Sequence, residues 1–182
     1  MGQMDQALKR GPEIYLDVET QRLSFEVAGG WANIKEFGLA VAVTWDHQHG
    51  FRHWFEKDVE RLVSELGRFS RIITFNGNRF DLEVLCGYAS IKQLRSRSFD
   101  LLTDLHARLG HRVRLDDLAR ETLGRGKTGS GVEAVEWWRA GQREKVAKYC
   151  EKDVRLLIDM VAHARKTGYV VIDGRQVQVN WL

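Results

Sequence analysis

Three short segments of the chain place acidic side chains where they could gather around divalent cations. In "EIYLDVET", residues 13–20, Ile14, Leu16 and Val18 alternate with Tyr15, Asp17 and Glu19. A period of two sends the aliphatic set to one face of a strand and both acids to the other. At ~3.3 Å per residue, the two acids sit within about 7 Å of each other. Two unit charges at ~4 Å repel by about 4 kcal/mol at an effective dielectric near 20. An apolar strand tolerates such a pair if a cation neutralises it or water reaches it. On this segment alone, an edge strand with a wet face is the ordinary alternative.

The second segment is "TFNGNRFDLEVL", residues 74–85. A strand over 71–75 ends at Asn76-Gly77, and the spacing predicts a helix from near Asn78 with Asp81 in its first turn. An acid there is also explained by the helix dipole, and Asn78 by N-capping. The third is "KVAKYCEKDVRLL", residues 145–157, where Tyr149 and Asp153 are four apart and share a helix face. They flank an apolar stripe of Val146, Cys150, Val154, Leu157, Ile158 and Val161. A boundary Tyr beside a solvated Asp is the ordinary reading. Acids two apart also occur at Glu56/Asp58 and Glu151/Asp153, so that spacing alone identifies nothing.

In this order, however, "LDVET", "NGNRFD" and "YCEKD" resemble the three exonuclease motifs of the DEDD superfamily, and Tyr149 in place of His marks the Tyr subclass. The chain resembles RNase-H-like exonucleases akin to the proofreading domain of family-B DNA polymerases. In these an Asn is followed by an aromatic residue and an Asp, as are Asn76, Phe80 and Asp81; "SFDLLTDL" and "LDDLARETLG" resemble their connecting helices. The resemblance covers residues 13–166. It implies an α/β fold, an RNase-H-like mixed sheet flanked by helices.

It also implies a site in which Asp17, Glu19, Asp81 and Asp153 bind two divalent cations. Hard oxygen ligands suit Mg²⁺ or Mn²⁺ and disfavour Zn²⁺. By resemblance Asp17 bridges both ions, Glu19 and Asp153 hold the ion that activates water, and Asp81 serves the other. Tyr149 orients the water, and Asn76 and Phe80 seat the terminal nucleotide. The implied activity is 3′-to-5′ exonucleolytic hydrolysis of phosphodiester bonds, with single-stranded DNA or unpaired 3′ ends ahead of RNA as partner. A catalytically silent nucleic-acid-binding module would show lost carboxylates, and none is missing. A structure-selective endonuclease is not separated from an exonuclease by fold.

The elements that must position these groups follow from pattern. The 182 residues are 43% hydrophobic and 29% charged, which fits one globular domain, and the net charge of +3 permits a nucleic-acid partner. No apolar run approaches the ~20 residues of a membrane span. The first ten residues lack a signal-peptide core. Cys86 and Cys150, the only cysteines, read as buried small hydrophobes in a reduced, cytoplasmic protein. Residues 1–12 are expected to form a loose arm, 13–168 the RNase-H-like domain, and 169–182 a C-terminal β-hairpin packed on that domain.

Strands are predicted over 13–18, 36–45, 51–56, 71–75 and 98–100. Helices are predicted from Asp58 as N-cap to Gly67, over 101–109, 115–123 and 132–139, and over 142–166. The final hairpin, 169–181, turns at Asp173-Gly174. Sites in such sheets lie at strand ends where chain direction switches.

"GRGKTGSG", 124–131, is not a phosphate loop, because position 121 is Glu where that motif needs Gly. Lys127 or Arg125 in this basic loop is a candidate phosphate contact. Trp31, Trp137 and Trp138 are candidates for base stacking, although a tandem Trp pair ordinarily turns one ring to the core and one to the surface. His47, His49 and His53 cluster across a hairpin without metal-ligand character. A separate polymerase or helicase partner is the accompanying expectation.

Overall fold

A computed structural model of the chain describes residues 11–126 and 129–182. The expected arm, apart from Gly11 and Pro12, and Lys127 lie outside the described residues. Strand β1 (Glu13–Thr20) is the centre of a five-stranded sheet of order β3-β2-β1-β4-β5. On one side, β2 (Leu39–Asp46) pairs antiparallel with β1 and with β3 (Gly50–Trp54). On the other, β4 (Arg71–Thr74) and β5 (Ser98–Asp100) run parallel to β1. Two 3-10 turns, Ser24–Glu26 and Gly30–Glu36, lie between β1 and β2.

The central position of β1 overturns the edge-strand alternative. Ile14, Leu16 and Val18 pack into a core with Leu62 and Leu66 of α1 (Val59–Leu66) and Leu82 and Leu85 of α2 (Asp81–Cys86). Tyr15, on the opposite face, belongs to a second core with Val146, Cys150, Val154 and Leu157. Those four come from α7 (Arg143–Thr167), which ends at Gly168 in the left-handed region (φ 82°). Fully burying one such aliphatic side chain stabilises by roughly 1.5–3 kcal/mol, so both cores fix the strand. The face that carries Asp17 and Glu19 is therefore covered by a helix.

The helix expected from Asn78 starts at Asp81 instead. Asn76 adopts a positive φ of 69°, and its N–H donates to Asp100 Oδ1 at 2.7 Å. The N–H of Asn78 donates to Asp100 Oδ2 at 3.1 Å. This carboxylate, on a neighbouring strand, fixes Asn76–Phe80 as a turn. Glycine is required within it: a Cβ on Gly77 would lie 2.3 Å from Thr74 Oγ1. Asp58 precedes α1, but its carboxylate accepts the N–H of Phe55 (3.3 Å) and makes no side-chain cap on the helix.

Helices α3 (Lys92–Arg95), α4 (Leu101–Leu109), α5 (Leu115–Leu123) and α6 (Gly131–Arg139) complete the layers. The C-terminal hairpin, β6 (Tyr169–Ile172) and β7 (Arg175–Gln178), turns through Asp173 (φ 51°) and Gly174 (φ 69°), the paired positive φ values of a type I′ turn. It packs on α5, where Thr122 Oγ1 donates to Val171 O (3.2 Å) and accepts the N–H of Val171 (2.9 Å). Trp181 is buried beyond it, and its Nε1–H donates to Asp104 (2.8 Å). Cys150 is buried, but Cys86 is exposed, a correction to the expectation for both cysteines. Cys86 ends the six-residue α2, whose buried face is taken by Leu82, Val84 and Leu85. Among the described residues no helix is long and apolar enough to cross a membrane.

Candidate active site

Because β1, β4 and β5 are parallel, their C-terminal ends reach the same edge of the sheet. Asp17 and Glu19 lie in the last half of β1, and α7 brings Asp153 over them. One carboxylate oxygen from each of Asp17, Glu19 and Asp153 lies within 4.8 Å of the others. Asp153 is 1% exposed and Glu19 8%, while Asp17 is half-buried, so two of the three acids are largely withdrawn from water. Its donors are all hard oxygens, the ligand chemistry of Mg²⁺ and Mn²⁺.

Asp81 stands outside that trio but lines the same cavity, of about 590 Å³. Burial, then the charge of Asp17 and, more weakly, that of Asp100, push its carboxyl well above the usual carboxylate range. Backbone N–H groups of Asp81 and Val18 oppose the rise without offsetting it. Tyr149, Asn76 and Phe80 line this cavity as well. Six of the eight residues singled out as candidate site residues thus meet Phe80 at one cavity, while Lys127 lies outside the described residues.

Several contacts in the site carried no sequence signal. Cys150 Sγ lies 3.2 Å from both the carbonyl oxygen and Oδ2 of Asp17. Burial and the charges of Asp17, Glu19 and Asp153 push the thiol up, so it remains an S–H donor to Asp17. Arg112 Nη2 donates to Asn76 Oδ1 at 2.6 Å. Asp100 holds the Asn76–Phe80 turn, and its Oδ1 also accepts the N–H of Leu102 (3.0 Å). An Asp directly before a helix is a legible cap; its reach back to residue 76 is not.

An aromatic wall borders the acids. Trp31 and Phe37 have ring centroids 5.6 Å apart, and both contact Phe80, at 6.2 and 6.4 Å. Phe25 is 82% exposed and Trp31 66%, and both open onto the cavity. Trp137 meets Tyr149 edge-on at 5.7 Å. Neither member of the tandem pair is a core residue: Trp137 and Trp138 are both partly buried, with Lys145 over one ring and Arg143 over the other. Arg125 pairs with Asp159. His49 hydrogen-bonds Asp46 and His53 hydrogen-bonds Glu151, while the His47 ring meets Trp45 edge-on.

A family model of the RNase H superfamily matches residues 14–165, and the chain belongs to that superfamily. Its fold is similar to that of a family B DNA polymerase from the hyperthermophilic archaeon Pyrobaculum calidifontis, with a TM-score of 0.62 and 12% identity. That match covers 85% of this chain and 24% of the polymerase. It is also similar to Trypanosoma brucei RNase D, with a TM-score of 0.59 and 15% identity over 88% of this chain and 60% of the other. The chain thus spans a minority of the polymerase and three-fifths of RNase D. No curated protein matches it in sequence.

Proposed function

We propose that this protein is a divalent-metal-dependent 3′-to-5′ exonuclease of the Tyr subclass, acting on single-stranded DNA or unpaired 3′ ends. The observation that carries the reading is the convergence of Asp17, Glu19 and Asp153, from segments more than a hundred residues apart, within 4.8 Å of one another. Nuclease chemistry also agrees with membership of the RNase H superfamily and with RNase D as a structural neighbour.

Asp17, Glu19 and Asp153 would hold one or both of two ions, with Asp81 completing the set beside Asp17. Bound there, Mg²⁺ or Mn²⁺ would supply the positive charge that an in-line phosphoryl displacement needs at its attacking and leaving oxygens. The Cys150 thiol fixes the Asp17 carboxylate through its hydrogen bond. Tyr149 orients the attacking water; with a reference pKa near 10, a phenol is a poor base at neutral pH. Phe80, Trp31 and Phe25 offer faces on which unpaired bases stack, each such contact being worth roughly 1–3 kcal/mol. A closed duplex end does not present its bases in this way.

The test is a time course on strands labelled at the 5′ end, single-stranded and duplex, DNA and RNA, with Mg²⁺, Mn²⁺ or EDTA. The reading predicts a ladder shortening from the 3′ end, fastest on single-stranded DNA and absent in EDTA. Internal cuts, or binding without cleavage in either metal, would contradict it.

A further inference from the structure

A second cavity, of about 920 Å³, adjoins the acidic one at Tyr149, which lines both. Its walls are Trp137 from α6 and Arg143, Lys145, Lys148 and Lys152 from α7, with Glu144 as the acid among them. Lys145 Nζ sits 4.2 Å from the centroid of the Trp137 ring. An aromatic face beside several ammonium groups, in an open groove with ample room for a nucleotide, fits a ligand with a flat base and an anionic group.

We infer that this groove binds the nucleoside 5′-monophosphate released by hydrolysis, an inference that rests on the exonuclease reading. In that reaction water adds to phosphorus and gives up a proton, the bond from phosphorus to the 3′ oxygen breaks, and the departing 3′ oxygen takes up a proton to become the hydroxyl of the new strand end. In-line geometry puts the new P–O bond on the side from which water comes, opposite the leaving oxygen. Tyr149 orients that water, so the shortened strand recedes from Tyr149 and the new phosphate oxygen faces it. The groove beyond Tyr149 is therefore no path for the remaining strand, but it is open to the freed nucleotide. The monoester also carries roughly −1.5 to −2 at neutral pH, against −1 for the diester, so cleavage itself strengthens attraction to the lysines. Trp137 then takes the base, and the acids left behind repel the phosphate.

Equilibrium dialysis of labelled dAMP against the metal-free protein isolates the groove, because the acidic cluster repels phosphate when no cation is bound. Saturable binding is expected, weakened at least tenfold in K145A/K148A, with deoxyadenosine and a dinucleoside monophosphate binding at least tenfold more weakly than dAMP. In the holoenzyme, K145A/K148A should relieve inhibition by dAMP while single-turnover hydrolysis stays unchanged. Equal dAMP binding by wild type and variant, or tighter binding of the diester than of the monoester, would overturn the assignment, the latter making the groove a strand track. A wild type that binds dAMP in this way but cleaves no strand would sink the exonuclease reading and leave the groove as a nucleotide site.

Discussion

Asp46 and Asp81 are the same residue type, each 2% exposed, and their carboxyls move in opposite directions. At Asp46, burial is overcome by N–H groups of Gln48 (2.9 Å) and His49 (3.0 Å), by the His49 ring and by Arg52 (2.7 Å). The acid is held below its ordinary range and closes the β2–β3 hairpin. At Asp81 burial wins, and Asp17 and Asp100 add repulsion. A buried carboxylate that serves the fold is surrounded by donors. One that faces other acids leaves charge for a bound cation to offset.

The sharpest break between the two regions is expected on neutralisation. Asp17→Asn should reduce metal-dependent hydrolysis by about 10³-fold or more, consistent with loss of preorganised electrostatic stabilisation. Its melting temperature in EDTA should stay level or rise, because a repelling charge is removed. A variant that keeps activity within tenfold of wild type would show that hydrolysis does not need the Asp17 charge. Asp46→Asn should do the reverse, keeping activity while losing roughly 1–3 kcal/mol of stability from its disrupted charge-assisted bonds. Denaturant midpoints measure this; an unchanged midpoint would show that the hairpin network is incidental.

The smallest effect lies in pH dependence. A carboxyl raised in the folded state stabilises below its unfolded value, 3.8 for Asp81, and that contribution is lost as pH rises through the folded value. A lowered carboxyl such as Asp46 contributes above its unfolded value and loses that contribution as pH falls through the folded one. Melting curves in EDTA across pH should therefore show Asp81→Asn flattening the decline on the rising side. Asp46→Asn should flatten the decline on the acid side. Identical profiles for the two variants would contradict the opposed shifts.

Much of this contrast was legible from local pattern. The alternation in "EIYLDVET" placed Asp17 and Glu19 on one face, and the stripe from Val146 to Val161 placed Tyr149 and Asp153 at the margin of a buried helix surface. Periodicity does not say which helix covers which strand face, so a wet edge remained open for β1. The later start of α2 depends on Asp100, 22 residues beyond Asn78, capturing its N–H. Local capping rules favour Asn78 because that distant competitor is invisible to them. Phe25 and Trp31 lie in irregular 3-10 turns, where no period reveals that their rings open onto the acids. Trp137 likewise joins Tyr149 only through the packing of α6 on α7.

The claim at the centre is that these converging acids form a site for a pair of divalent cations. Titration calorimetry with Mn²⁺ on the metal-free protein counts those cations. Wild type should bind two ions per chain, and Asp17→Asn and Asp153→Asn should each lose at least one of them. No saturable binding by wild type, or binding unchanged in both variants, would contradict it.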